Sequence, residues 1–473
     1  MNTTLELPQT VLVAGGGVSG RGCAEILASL GIKVTVADGN TETRASIAES
    51  LSVATIDPAE VGFAESSYDL VVTSPGWRPE SPLLVQAKNA GLEVIGDVEL
   101  AWRLDRMEVF GPPRTWLVIT GTNGKTTTTG MLAAIMQANE AESGLRAAAA
   151  GNIGVSLFTA LSAHPRVDVL CVELSSFQLH WSNSIRPHVG TVLNLAEDHI
   201  DWHGSFDGYA QDKAKALLGD VAVIASDDAK VVKSAHAIEP QGRITRFSAG
   251  LPDGGVGVMG DQIVFAPGNV ELASAEGLQP AGIAGVLDAC AAAAVAYAAG
   301  ATPRSIAQGL ASYRVDAHRG EVVHEAGEIT FIDNSKATNP HAADAALAGL
   351  RNVIWIAGGQ LKGAEVTELI ESNRGALKAA VLLGQDRSII AKALQEITPE
   401  IPVHIIDETD PVQAMELSVE AALQHAEAQD TVLLAPAAAS LDMYSGMGQR
   451  GELFAAAARK LSSDRDIDRE RLS

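Results

Sequence analysis

The chain has 473 residues, a formal net charge of −24, 47% apolar residues and only 4% aromatic ones. At roughly 150 residues per domain this length suits three domains. The acidity excludes broad nucleic-acid binding and a basic membrane-surface patch, and the apolar content excludes a disordered or fibrous chain.

Cys23, Cys171 and Cys290 are far apart and lack C-x-x-C spacing. Neither a disulfide framework nor a zinc knuckle is expected, and reduced buried thiols fit a reducing compartment. The segment Met1 to Pro8 has no basic start and no apolar core of a leader, and no stretch is long and apolar enough to span a bilayer. A cytoplasmic monomer without membrane insertion is expected.

The first block alternates short apolar runs with helical patterns, as a parallel α/β unit does. Strands are predicted at Val11–Ala14, Lys33–Ala37, Leu70–Thr73 and Glu93–Ile95, and Gly111-Pro112-Pro113 marks a boundary. After the first strand, Gly15-Gly16-Gly17-Val18-Ser19-Gly20 satisfies G-x-G-x-x-G, and Asp38 follows at the end of the second. This is a dinucleotide fingerprint, in which backbone N–H groups at a helix N-terminus hold a diphosphate. The second block opens with Trp116–Thr120, with further strands at Val169–Glu173, Val189–Leu193 and Val221–Ala225. A Gly/Pro-rich stretch, Leu251–Gly268, reads as a hairpin or loop excursion, and an Ala-rich helix spans about Val286–Ala299. The third block starts near Val315, with strands at Ile329–Ile332, Val353–Ala357, Val381–Leu383, Val403–Ile406 and Val432–Leu434. Ser462 to Ser473 reads as a frayed, charged tail. The expectation is an α/β protein of three domains: a Rossmann-like N-terminal domain (1–110), a central P-loop ATPase-like domain (111–314) and a Rossmann-like C-terminal domain (315–473).

The strand Trp116–Thr120 runs into Gly121-Thr122-Asn123-Gly124-Lys125-Thr126-Thr127, with a helix to about Ala138 behind it. Such a turn aims N–H groups and the helix dipole at phosphates. Lys125 suits the β- and γ-phosphates of ATP, and the Thr126 hydroxyl suits Mg²⁺. Ile119 stands where the usual loop has its first glycine, so the loop is a shortened form. Glu173 ends one later strand, and Glu197-Asp198-His199 follows another. Strand ends converge on the ligand crevice of an open α/β sheet. Thr126 with Glu173 therefore suits one Mg²⁺, and His199 a second.

The shortened loop resembles the Mur ligase and folylpolyglutamate synthase superfamily, which activates a carboxylate as an acyl phosphate for attack by an amine. Tyr209-Ala210-Gln211-Asp212-Lys213 matches that family's Tyr-x-x-x-Lys. The resemblance implies a carbamylated Lys213 helping to hold the second of two Mg²⁺ ions; from spacing alone Lys213 is a surface helix lysine, and Lys215 is its competitor. Gly151-Asn152-Ile153-Gly154 matches a loop whose asparagine, Asn152, lines the acyl site. Thr73-Ser74-Pro75-Gly76, Gly96-Asp97-Val98-Glu99, Ser335-Lys336-Ala337-Thr338-Asn339, Gly358-Gly359-Gln360-Leu361-Lys362-Gly363 and Ala435-Pro436-Ala437-Ala438-Ala439-Ser440-Leu441-Asp442 are similar to the branch of Mur ligases that adds D-glutamate. That branch implies ATP, D-glutamate and UDP-N-acetylmuramoyl-L-alanine as substrates in peptidoglycan precursor synthesis. Gly17, Val18, Ser19, Asp38, Ser74, Pro75 and Gly76 would bind the UDP moiety. Arg319 would take the α-carboxylate of D-glutamate, bordering the nucleotide site, with Asn334 at the ribose. Thr338, Lys362 and Ser440, beside Leu441, would take the side-chain carboxylate, and Lys336 would lie near the γ-phosphate.

The likeness covers Val11 to about Leu461, with departures. The family's His-Asn-x-x-Asn motif is replaced around Ala284–Asp288, its Asn-Asp pair is reversed to Asp333-Asn334, Ala438 replaces a cysteine, and Met447 an aromatic residue. The fingerprint alone would suit an NAD-dependent oxidoreductase, but such an enzyme has no need of the second loop at Gly121–Thr126. A folylpolyglutamate synthase has no need of the first glycine turn. The intact Lys125, Thr126, Glu173, His199 and Lys213 argue against a degenerate regulator.

Overall fold

The computed structural model describes residues 7–63, 67–280, 282–315 and 317–472, the last of these with side chains to residue 461. Three sheets account for the strands. The first comprises β1 (Thr10–Ala14), β2 (Lys33–Ala37), β3 (Ala54–Ile56), β4 (Leu70–Thr73) and β5 (Val94–Gly96). All pairs are parallel, in the order β3-β2-β1-β4-β5. The order reverses between β1 and β4, and ligands bind at such a switch point.

The second sheet comprises β6 (Thr115–Thr120), β7 (Ala147–Gly151), β8 (Val169–Glu173), β9 (Val189–Val192), β10 (Val221–Ala225), β11 (Arg243–Phe247), β12 (Gly255–Met259), β13 (Gln262–Phe265) and β14 (Val270–Ser274), ordered β14-β13-β12-β11-β10-β9-β6-β8-β7. The excursion expected at Leu251–Gly268 is an antiparallel extension, β12 to β14, on an otherwise parallel sheet. β6 lies between β8 and β9. Its residues Trp116 to Thr120 are all buried, the continuous apolar run that a strand covered on both faces requires.

The third sheet comprises β15 (Glu321–Ala326), β16 (Ile329–Asp333), β17 (Val353–Gly358), β18 (Leu377–Leu383), β19 (Val403–Ile405) and β20 (Thr431–Leu434), ordered β15-β16-β20-β17-β18-β19. β15 and β16 form an antiparallel hairpin, with Glu321 opposite Asp333; the remaining pairs are parallel. The backbone of the last helix runs from Met447 to Leu472, so the segment read as a frayed tail continues a helix. Its side chains beyond residue 461 lie outside the described residues, as do residues 1–6 of the N-terminal segment.

By contact the chain divides into two compact units: one through Glu276 plus Asp288–Ser312, the other Gly277–Leu287 plus Tyr313 onward. The first unit holds two sheets that share one core. Cys23, Leu27, Val98 and Leu104 pack in the same cluster as Trp116, Phe158 and Leu170. The boundary at Gly111-Pro112-Pro113 is not a slack linker. The Arg114 guanidinium, 1% exposed, pairs with Asp105 at 2.9 Å and donates to the Val167 and Leu161 carbonyls. Asp105 also accepts from Trp116 Nε1 at 2.9 Å. Among the described residues no helix is long and apolar enough to cross a membrane.

Candidate active site

The turn after β1 owes its shape to glycine and one carboxylate. A Cβ on Gly20 would stand 1.8 Å from the Gly15 carbonyl oxygen, so the helix Val18–Ser29 packs on β1 only with glycine there. Asp38 accepts from Gly16 N at 2.7 Å and Asn40 N at 2.8 Å; it shapes the turn. Val18, at the helix start, is 92% exposed. Ser74 Oγ, beside Gly15 and Gly20, is buried without a partner. Asp97 starts the helix Asp97–Arg106 and bonds to Ser19; burial pushes its carboxyl up to about 6 against the lowering effect of that bond.

The phosphate loop follows β6. Gly124 has φ +79°, and a Cβ there would stand 2.3 Å from Asp288 Oδ1; glycine alone meets both conditions. Asn194, after β9, clamps the loop: its carbonyl accepts Thr122 N at 3.0 Å, its Oδ1 accepts Asn123 N at 2.8 Å, and its Nδ2 donates to Asn123 O at 3.1 Å. Tyr209 OH lies 2.8 Å from Thr122 Oγ1. Lys125 Nζ donates to Thr122 O at 2.8 Å, and Thr126 is buried in the first turn of the helix Lys125–Ala138. Asn194 was not singled out in the sequence; its position at the end of the strand beside β6 is the signal for it.

β8 brings Glu173 level with Ile119 on one side and Gly151 on the other. Its Oε1 accepts from Asn152 Nδ2 at 2.7 Å, while Oε2 is buried and partnerless. A buried carboxylate oxygen without a donor beside a phosphate loop fits a Mg²⁺ ligand. Lys213, which spacing makes a surface lysine, is 2% exposed. Its amine donates to Gly121 O at 2.7 Å and Thr120 Oγ1 at 3.3 Å. Burial first, and the Lys125 charge second, pull its pKa well below the usual lysine value, against Asp198 and Glu173. Lys215, the competitor, is half-buried and donates to the Leu179 and His180 carbonyls; it is not a solvated lysine either. His199 has φ +53°, its ring lies tilted against that of Phe177 at 4.7 Å between centroids, and its Nε2 lies 3.4 Å from Asp198 Oδ2. Burial lowers its pKa, partly offset by Asp198, which favours the neutral imidazole that a metal or a hydrogen bond needs.

The third sheet collects the remaining motifs at one edge. The loops after β16, β20 and β17 leave neighbouring strands, and Arg319 precedes β15 at the same edge. Gln360 and Ala439 exchange backbone hydrogen bonds at 2.8 and 2.9 Å, joining the Lys362 loop to the Ser440 loop. Lys362 has φ +54° and Ser440 is 4% exposed, while Leu441 is 68% exposed. Asn334 N donates to Leu434 O, and Thr338 N to Lys336 O. Arg319 Nε is buried without a partner, which suits an anionic ligand. His318 Nδ1 lies 2.6 Å from Asp333 Oδ2. Arg450, missed in the sequence, is 1% exposed and ties three loops: it donates to Ser335 Oγ and O, Gly358 O and Ala438 O at 2.9–3.3 Å. Its partners lie 12 to 115 positions away, and no local pattern marks it.

A shortened phosphate loop at the centre of a parallel sheet, flanked by a half-paired buried carboxylate and a buried lysine, defines a nucleotide-binding α/β protein of the P-loop class. Three family models match: "Mur ligase MurD-like, N-terminal domain" over residues 9–96, "Mur ligase middle domain" over 119–253, and "Mur ligase, glutamate ligase domain" over 318–438. The chain is 55% identical over 461 residues to the UDP-N-acetylmuramoylalanine–D-glutamate ligase of Corynebacterium diphtheriae, covering 96% of each chain. It is 46% identical to the ligase of the same name from Rhodococcus jostii, covering 98% of this chain and 97% of that one. It shares a fold with a pseudomurein peptide ligase type C from Methanothermus fervidus (TM-score 0.57, 18% identity, 96% and 100% coverage). The same holds for UDP-N-acetylmuramate-alanine ligase from Thermotoga maritima (TM-score 0.53, 15% identity, 97% and 100% coverage). The chain belongs to the Mur ligase family, with that family's three-domain α/β architecture and its use of ATP and Mg²⁺.

Proposed function

We propose that this chain joins D-glutamate to UDP-N-acetylmuramoyl-L-alanine, with ATP as the driving reactant, in the synthesis of peptidoglycan precursors. The observation that carries the reading is the convergence of Lys125, the partnerless Glu173 Oε2 and the buried Lys213 amine on the carboxyl edge of β6 and β8. The likeness to the corynebacterial D-glutamate ligase supports the choice of substrate. The functional domains follow the boundaries 1–110 for the UDP substrate, 111–314 for ATP and 315–473 for the amino acid. The reading places the enzyme in the cytosol, as a monomer.

The alanyl carboxylate oxygen attacks the γ-phosphorus, the bond to ADP breaks, and an acyl phosphate forms. The D-glutamate amine, after losing a proton from its ammonium form, attacks the acyl carbon. The tetrahedral adduct collapses: the bond between the acyl carbon and the bridging phosphate oxygen breaks, the nitrogen gives up a second proton, and an amide and phosphate are left. Lys125 and the loop N–H groups neutralise the phosphates. Bound Mg²⁺, two ions in this reading, supplies charge neutralisation on the transferring group. Thr126, Glu173, His199 and a carbamate on Lys213 would hold those ions, and Asn152 fixes the Glu173 carboxylate. His199 positions; it is not the general base. In the carbamate the Lys213 nitrogen lone pair bonds to the carbon of CO₂, one C–O π pair moves to oxygen, and an N–H proton leaves. Only the neutral amine has that lone pair, and burial of Lys213 favours it. Arg319, Thr338, Lys362, Ser440 and Leu441 receive D-glutamate, with Asn334 and Lys336 at the nucleotide side.

Phosphate release with UDP-N-acetylmuramoyl-L-alanine tests the reading. D-glutamate should be required, and equal turnover with L-glutamate, L-lysine or meso-diaminopimelate would overturn the assignment.

A further inference from the structure

Three segments carry the groups assigned to the metal pair: the stretch after Glu173, the turn at His199 and the helix Phe206–Ala214 that bears Lys213. A single buried carboxylate cross-links them. Asp212 Oδ2 lies 2.8 Å from His180 Nδ1 and 3.0 Å from His203 Nδ1, and Oδ1 lies 3.0 Å from Lys215 Nζ. His203, whose ring is fully buried, passes the connection on, with Nε2 3.0 Å from Ser176 Oγ. Ser176 opens the helix Ser176–His180, three residues after Glu173. His203 closes the short helix Ile200–His203, which His199 begins. Phe177 fills the space between them, against the rings of His199, Trp202 and His203.

We infer that Asp212 is a positioning residue that fixes Lys213, His199 and the Glu173 segment in the arrangement the metal pair needs. Neighbouring helix residues point about 100° apart. Lys213 accordingly turns to Gly121 of the phosphate loop while Asp212 turns to the helix Ser176–His180. Both imidazoles present Nδ1–H to one oxygen, which fixes their tautomers. The Nε2 of His203 is then the acceptor for the Ser176 hydroxyl. Burial raises the Asp212 pKa, but the bonds from His180 and His203 and the Lys215 charge outweigh it, and the carboxyl is held well below the usual range. His180, His203 and Asp212 also lie close enough together to hold a metal ion. The Lys215 ammonium beside Asp212 opposes a cation there, and the bonds already made occupy the donors.

The inference rests on the carbamate reading of Lys213, and its test separates the two. The full-length protein is loaded with Mg²⁺ and ¹³C-bicarbonate, and the carbamate carbon is observed by NMR alongside phosphate release. The wild type should show one carbamate resonance that Lys213→Ala lacks. Asp212→Asn keeps the volume but turns an N–H donor toward groups that are all donors. It should lose most of the resonance, release phosphate about 10–100-fold more slowly, and recover in part with added bicarbonate, with KM for ATP little changed. A purely space-filling role would leave Asp212→Asn unaffected in all three. His180→Gln, at a partly exposed ring, should shift the resonance and the bicarbonate dependence the same way but less, and it decides the matter if Asp212→Asn does not fold. A full resonance and wild-type turnover in a folded Asp212→Asn, or in His180→Gln where only that variant folds, overturns the positioning role and leaves the carbamate reading intact. Absence of the resonance from the wild type overturns both.

Discussion

Lys213 departs furthest from the environment its residue type prefers: a lysine 2% exposed, bonded to a backbone carbonyl, with no carboxylate partner within ion-pair distance among the described residues. Burying an unpaired ammonium costs several kcal/mol, and the site lowers that cost by favouring the neutral amine that CO₂ requires. Lys213→Ala should remove nearly all phosphate release, and acetate should restore a part by filling the anionic position. Lys215→Ala is not a silent control, because Lys215 holds Asp212 and two carbonyls. Lys233, whose side chain is 79% exposed, serves instead, and Lys233→Ala should be indistinguishable from wild type. Full activity in Lys213→Ala would end the carbamate reading. Asp97 offers a second case, legible in the sequence as part of a motif but not as a stressed carboxyl. Its folded pKa of about 6 lies above the ordinary aspartate value of 3.8, so the folded state binds the proton more tightly than the unfolded one. Stability attributable to Asp97 is therefore highest below pH 4, falls as pH rises between about 4 and 6, and stays reduced above. Two pKa units correspond to on the order of 3 kcal/mol. Asp97→Asn should raise the melting temperature at pH 8 more than at pH 5, and should weaken the UDP substrate if Ser19 moves. An equal change at both pH values would refute the burial penalty.

Turns and strand ends decide how the site is assembled. Gly124→Ala places a left-handed alanine against Asp288 Oδ1. The backbone strain alone is about 1–2 kcal/mol, and the contact adds to it. Calorimetric titration should show ATP binding weakened at least tenfold. Gly124→Ala with Asp288→Ala removes the contact but not the strain, so it should recover only part of the affinity; full recovery would assign the whole effect to Asp288. The same elements show what the sequence makes legible. β1, β4, β6, β8, β10, β17 and β20 follow continuous apolar runs, because strands covered by helices on both faces have no polar side to present. β7 (Ala147–Gly151) was missed because an alanine run favours helix in isolation; pairing along β8 overrides that preference. β11 carries two arginines in five residues, and its pattern gives no strand signal. The glycine turns, Lys125, Glu173 and His199 were readable, since each sits at a strand end or in a local motif. Asn194, Asp212 and Arg450 were not, since each depends on a partner far along the chain: 71, 32 and 115 positions away respectively.

The division of the chain into compact units does not follow its division into sheets. The first two sheets share a core and the buried Asp105–Arg114–Trp116 network, while the third sheet forms its own cores around Trp355 and Phe331. Breaking a buried pair such as Asp105–Arg114 costs about 3–5 kcal/mol, so the glycine turn of the first sheet and the phosphate loop of the second should unfold together. Two thermal transitions are expected by calorimetry, one for each contact-defined unit. A ligand at 100 times its Kd stabilises the unit that binds it by about 2.7 kcal/mol. UDP and a non-hydrolysable ATP analogue, added separately, should therefore raise the same transition. D-glutamate alone should raise the other, and NAD should raise neither. A shift of different transitions by UDP and the ATP analogue would show that the first two sheets unfold independently. A shift by NAD with none by UDP would return the first glycine turn to a dehydrogenase role.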